Sequence, residues 1–188
     1  MDFDNSYSLF AHNNNDVSWN DVSYLHLCKV TSSDVFWKLF NTVSGSELYD
    51  HFSLYFMKKD IKPKWEHPEN KKGGCLSYKM ETKCKVEIHR VFLDICAQFV
   101  NESISDKDEF INGISLVIKK NHIILKLWLK EVNFPIVFSE DFKKNIGVKN
   151  IQKGIKQAHQ SNIKRDYRKN TVYNLGNRSR SGNRFQKR

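Results

Sequence analysis

The chain has 188 residues, 39% of them hydrophobic and 13% aromatic, and a formal net charge of +10. That length supports one domain with a real core. No apolar run reaches membrane-spanning length, and the acidic, polar start "MDFDNSYSLF" is wrong for a secretory or mitochondrial leader, so a soluble, cytoplasmic protein is expected, with a nuclear fraction as a secondary possibility.

"YSLFAH" (7–12) reads as a strand, followed by the loop "NNNDVSWND". "VSYLHLCKV" (22–30) alternates apolar and polar residues, which predicts a second strand. "TSSDVFWKLFNTV" opens with Thr31 and has Asp34 three positions on, a start resembling a capping box, and its apolar residues then recur at helical spacing. A strand over 51–58, the loop "KPKWEHPENKKGG" (62–74) and a strand over 75–81 come next. Residues 85–100 form the longest amphipathic pattern, with Ile88, Val91, Phe92, Ile95 and Phe99 in register. "FINGISLVIKK" and "HIILKLWLKE" predict a hairpin turning near Asn121 and His122; "SEDFKKNIGV" predicts a short helix ended by Gly147, and "IQKGIKQAH" a last strand. Strands joined by short loops favour an α+β fold, an antiparallel sheet with helices on one face and the other face free for a ligand.

The charge is unevenly placed. From Ile155 to Arg188 there are ten Lys/Arg and one acid, a net +9, which leaves only +1 of the +10 for residues 1–154. A basic tail points to a polyanion, RNA first, or to a solubilising segment with no specific partner. The expected organisation is an N-terminal arm (1–6), a binding domain (7–159) and a basic tail (160–188). Cys28, Cys75, Cys84 and Cys96 form no C-x-x-C pair and no His pair has zinc-ligand spacing, so free thiols and no metal site are expected. No cofactor motif and no nucleophile–base pair points to an enzyme.

The four tryptophans carry the functional signal. Trp19 and Trp65 lie in polar loops, where burial is hard to arrange; two loop tryptophans on one edge of a sheet could face each other across a slot that suits a flat aromatic ligand, a cationic one better. Glu66 follows Trp65, and its carboxylate could accept paired N–H donors such as guanine N1–H and N2–H, or be an ordinary exposed acid. N7-methylguanine, flat, cationic and carrying both donors, meets every demand. On the first helix Trp37 lies about 110° from the stripe of Phe36, Leu39, Phe40 and Val43, so it is either a protein-docking residue or a cover for the helix–sheet seam. Trp128, flanked by Leu127 and Leu129 on a strand, reads locally as core.

The segments "VSWNDVSYLHLCKVTSSDVFWKLFNTV", "LYFMKKDIKPKWEHPENKKGG", "FLDICAQFVNES" and "INGISLVIKKNHIILKLW" resemble, in order and spacing, the eukaryotic translation initiation factor 4E family of messenger-RNA cap-binding proteins. The likeness runs from about Tyr7 to His159 and is most specific at Trp65-Glu66 followed by Asn70 to Gly74. It implies a cupped antiparallel sheet of about eight strands with three helices on the convex face. It further implies that Trp19 and Trp65 sandwich the methylguanine, that Glu66 holds its edge and that Trp128 lies near the N7 methyl. Trp37, Leu93 and Asp94 match positions that contact partner proteins, the 4G scaffold and 4E-binding proteins. The implied role is a non-enzymatic, monomeric initiation factor that binds the 7-methylguanosine triphosphate end of mRNA.

The departures concern the phosphates. Cys75 stands directly after the "GG", where the family usually has a phosphate-binding arginine. Lys119 matches a second such arginine and keeps the charge but not the planar fork, and Lys120 is a candidate for the next basic position. Weaker phosphate contacts are therefore expected, with the tail as a compensating RNA contact. Two alternatives stay open: an adaptor or decoy that has lost cap affinity and docks 4G-type peptides through the first helix, and a general RNA binder that uses the tail.

Overall fold

The computed structural model describes residues 1–81, 84–119, 122–133, 135–147 and 154–161. The basic segment 162–188 and Lys120 lie outside them. In chain order the elements are β1 (Asp2–Asn13), β2 (Tyr24–Ser32), α1 (Ser33–Val43), α2 (Leu48–His51), β3 (Phe52–Lys58), α3 (Pro68–Lys71), β4 (Gly74–Met80), α4 (Lys85–Val100), β5 (Ile111–Lys119), β6 (His122–Leu129), α5 (Glu140–Ile146) and β7 (Ile155–Ala158). The strands form one sheet in the order β2-β1-β3-β5-β6-β4-β7, and every neighbouring pair is antiparallel. The described residues thus hold seven strands against the eight or so expected, and β1 starts at Asp2, ahead of the predicted Tyr7.

Successive strand side chains point to opposite faces, and here the two faces have separate cores. Tyr7, Leu9, Leu54, Phe56, Leu76, Tyr78, Leu125 and Leu127 point to one face and pack with Phe36 and Phe40 of α1, Phe92 and Phe99 of α4, and Phe142 of α5. Tyr7 stacks on Phe56 with centroids 5.4 Å apart and Phe40 meets Phe92 at 5.8 Å. The alternate residues Phe10, Tyr55, Met57, Cys75 and Trp128 form a smaller cluster on the other face, with Tyr24 and Trp65 against it. The three longer helices therefore cover one face only.

Local chemistry explains the ends. α1 is capped by Ser32, whose backbone is extended and whose Oγ accepts from the Val35 N–H, so the cap sits one residue after the predicted Thr31. α5 stops at Gly147, at φ +84°. The predicted loop over 62–74 ends one residue early: Gly74 opens β4, and a Cβ at Gly73 would stand 1.8 Å from the Leu129 carbonyl oxygen, one at Gly74 2.4 Å from that of Gln157. These glycines are there for close backbone approach.

Candidate ligand-binding site

The helix-free face holds a cavity of about 330 Å³, lined by Trp19, Trp65 and Trp128, by His12, Tyr24 and Tyr55, and by Lys119 and Lys126 among others. These residues come from five strands and two loops. Strand alternation explains the strand contributions: Lys119, Val117 and Ser115 on β5 face the same way as Ile124, Lys126 and Trp128 on β6, and Ser115↔Lys126 and Val117↔Ile124 are register partners.

Trp128 is buried, only 3% exposed, and its indole N–H donates to Ser115 Oγ at 3.0 Å. The core expectation for it is therefore met on the cavity side of the sheet, while its neighbours Leu127 and Leu129 face the helices. Trp65 is half-buried despite its polar loop, because a folded turn carries it. In that turn Asn70, fully buried, donates through Nδ2 to the carbonyls of Lys62 (3.0 Å) and Lys64 (2.9 Å), and its Oδ1 accepts from Asn112 Nδ2 at 3.0 Å. One side chain thus ties both ends of the segment before Trp65 to strand β5.

Trp19 is 58% exposed and lies parallel to His12, with centroids 4.0 Å apart and planes 1° apart. One indole face is therefore already occupied. The His12 Nε2–H donates to the Ser18 carbonyl at 2.9 Å, which leaves Nδ1 as an acceptor, buried without a hydrogen-bond partner among the described residues. Asp16 accepts from the backbone N–H and the hydroxyl of Ser18, fixing the residue before Trp19. The Trp19 and Trp65 loops are joined directly: Asp21 accepts from Lys62 at 2.9 Å and from Lys64 at 2.5 Å.

Glu66 is exposed and is not among the residues that line the cavity. Its charge reaches the cavity: together with burial and Tyr55 it raises the Tyr24 phenol, and it acts on His159. Cys75 is a buried thiol. Its S–H donates to His159 Nε2 at 3.1 Å, because the His159 Nδ1–H is committed to the Asn70 carbonyl at 2.8 Å. Burial pushes the Cys75 thiol up to about 12, opposed by Lys126. Burial also lowers His159, with Lys126 acting in the same sense against the Asn70 bond.

The structure thus brings Trp19, Trp65, Trp128 and Lys119 to one cavity, while Glu66, outside its lining, reaches it through its charge on Tyr24 and His159. Trp37, Leu93 and Asp94 lie on the opposite face: Trp37 is 51% exposed beside Phe36, Leu93 packs partly on the main core, and Asp94 is half-buried. The sequence reading missed Lys126, whose alternation with Trp128 was the available signal. It also missed His12, Tyr24 and Tyr55, which looked like ordinary strand residues.

A cupped antiparallel sheet, helices on one face and an aromatic cavity with two ammonium groups on the other, defines a binding domain suited to a flat, electron-poor ring bearing anionic groups. A sequence model of the family described as "Eukaryotic initiation factor 4E" matches residues 2–184. The chain belongs to the eukaryotic initiation factor 4E family. It is 24% identical over 178 residues to eukaryotic translation initiation factor 4E1 of Drosophila melanogaster, covering 92% of this chain and 64% of that one. It is 30% identical over 117 residues to the Saccharomyces cerevisiae factor, covering 60% and 53%. The match thus spans roughly half to two thirds of the length of these curated relatives. Among solved structures, the fold is similar to that of Caenorhabditis elegans eIF4E-3 in complex with the 4E-binding protein Mextli, with TM-score 0.67, 18% identity and coverage of 86% and 95%. It is also similar to Ascaris suum eIF4E-3 in complex with an m2,2,7G cap, with TM-score 0.64, 17% identity and coverage of 85% and 91%.

Proposed function

We propose that the protein is a non-enzymatic translation initiation factor that binds the N7-methylguanosine 5′ cap of mRNA in the cavity and brings the mRNA to the translation machinery. The observation that carries this is the convergence of Trp19, Trp65 and Trp128 with Lys119 and Lys126 on one cavity wall. Trp65 and Trp19 stack on the methylated base, and the positive ring strengthens both contacts. For Trp19 the base takes the indole face opposite His12, which backs the ring from the other side. Glu66 accepts from guanine N1–H and N2–H, and Trp128 lies toward the methyl group. Lys119 and Lys126 neutralise the phosphates, and Lys120 is a further candidate. The Ascaris relative's complex with a methylated guanosine cap supports this reading.

Fluorescence titration tests it. N7-methylated cap analogue is expected to bind at least about tenfold more tightly than the unmethylated form, a difference of about 1.4 kcal/mol. Equal affinity for both would overturn the reading.

On the helix side, Trp37 with Leu93 and Asp94 docks a helical peptide of a 4G-like scaffold or a 4E-binding protein. The exposure of Trp37 supports this, as does the relative solved with Mextli. The working form is a cytoplasmic monomer whose binding domain runs to residue 159 and takes in the predicted arm, since β1 starts at Asp2, with 160–188 as a basic tail that follows downstream RNA. A second reading, an adaptor of weak cap affinity, is favoured by the burial of Cys75 where the family's phosphate arginine is expected. Retention on a 4G-type peptide but not on immobilised cap would select it.

A further inference from the structure

Asp21 belongs to neither proposed contact set, yet it stands where the two stacking loops meet. It lies two residues after Trp19, in a short 3-10 turn (Asp21–Ser23) fixed by Asn20, whose side chain accepts from the Val22 and Ser23 N–H groups at 3.1 Å each. Its two carboxylate oxygens are divided between two lysines of the other loop, Oδ2 to Lys62 at 2.9 Å and Oδ1 to Lys64 at 2.5 Å. Lys64 directly precedes Trp65. The carbonyls of both lysines are pinned by buried Asn70, so the lysines do not present themselves from a free loop. Asp21 thus joins the loop of Trp19 to the loop of Trp65 through two ion pairs.

We propose that Asp21, Lys62 and Lys64 form an electrostatic latch that holds the Trp19 and Trp65 loops at a fixed separation and so keeps the cavity in its ligand-competent form. This rests on the reading of the cavity as the cap site. Asp21 and the lysines are positioning residues here.

An exposed ion pair contributes little to global stability, and the latch does not need it to. What matters is the fraction of molecules whose loops are already in place, because apparent affinity falls by that fraction. The Trp19 loop is braced within itself by Asp16, His12 and Asn20, and the Trp19 ring rests on His12 and Tyr24; the Asp21 pairs add the link from that loop to the Trp65 loop. The two ammonium groups hold the Asp21 carboxyl down to about 2, so the latch stays charged throughout the physiological pH range. Its lever is ionic strength, since exposed pairs are screened by salt.

Two readouts test the latch. The first is affinity for the N7-methylguanosine nucleoside, a probe without phosphates, so that phosphate screening does not intrude. Asp21→Asn is expected to weaken binding about three- to tenfold at low salt, as the loss of two exposed pairs allows. The reversed-charge triple variant Asp21→Lys, Lys62→Glu, Lys64→Glu is expected to recover most of it. The second readout needs no ligand. Incorporating 5-fluorotryptophan labels all four tryptophans. In the fluorine spectrum, Asp21→Asn or added salt is expected to shift and broaden the Trp19 and Trp65 signals, leave Trp37 unmoved, and be reversed in the triple variant. Unmoved Trp19 and Trp65 signals would overturn the latch. So would affinity within twofold of wild type, or a triple variant no better than Asp21→Asn. If the wild-type protein binds no cap probe, the cap reading fails while the fluorine spectra still decide whether the loops are latched.

Discussion

The two faces of this sheet are built from the same strands and have opposite chemistry. On the helix side, Tyr7, Leu9, Leu54, Phe56, Leu125 and Leu127 meet three helices and form the main core. On the cup side, His12, Tyr55, Ser115, Lys126 and Trp128 alternate with them, on the face that the three longer helices do not cover. The difference teaches that strand period separates stability from function in this molecule: one residue holds the fold and the next faces the cavity. Substitutions on adjacent residues should therefore separate cleanly into folding and binding defects.

The largest expected effect lies on the helix side. Phe56→Ala, at a fully buried ring stacked on Tyr7, should cost about 3–5 kcal/mol in chemical denaturation. Its cup-side counterpart is Trp65→Ala. The half-buried ring should cost less stability, while cap-analogue affinity should fall about 10- to 100-fold, the value of about 1–3 kcal/mol for a base–aromatic stack. A loss of stability as large as that of Phe56→Ala would break the contrast.

A smaller effect sharpens the cup side alone. Lys126→Gln should reduce affinity for a triphosphate cap analogue about three- to tenfold, spare the nucleoside, and lower the slope of log affinity against log salt by about one. Equal losses with both probes would place Lys126 in structure and not in phosphate binding.

The smallest effect comes from His159, which the fold holds as a buried neutral acceptor for Cys75. Burial, then Lys126, keep it below its ordinary 6.5, so the unfolded chain takes up a proton that the folded one refuses. The stability it contributes is full above about pH 6.5 and declines as pH falls below that. His67 and His89 shift in the same direction by burial, so the measurable quantity is a difference. His159→Gln should make the fall of thermal midpoint between pH 7 and 5 shallower than in wild type.

Much of this was legible in the sequence. The α4 boundaries, the Gly147 stop, the β5–β6 hairpin and the exposed position of Trp37 all follow from local period and capping chemistry, which neighbouring residues determine among themselves. The four tryptophans and Glu66 singled themselves out by residue type and setting. What local pattern could not supply was pairing across the chain. Lys126 reads as one solvated lysine until β6 alternation is joined to β5 and β4. Cys75 reads as a missing cation until His159, 84 residues away, accepts its hydrogen bond. The glycines before it read as the end of a loop until Leu129 and Gln157 crowd them. The sequence alone determined the elements, the helix-covered core and the aromatic character of the site, because those depend on residue type and short-range period. Only the tertiary structure decided which face is the cup, which cation enters it and what joins its two loops, because those depend on contacts between segments far apart in the chain.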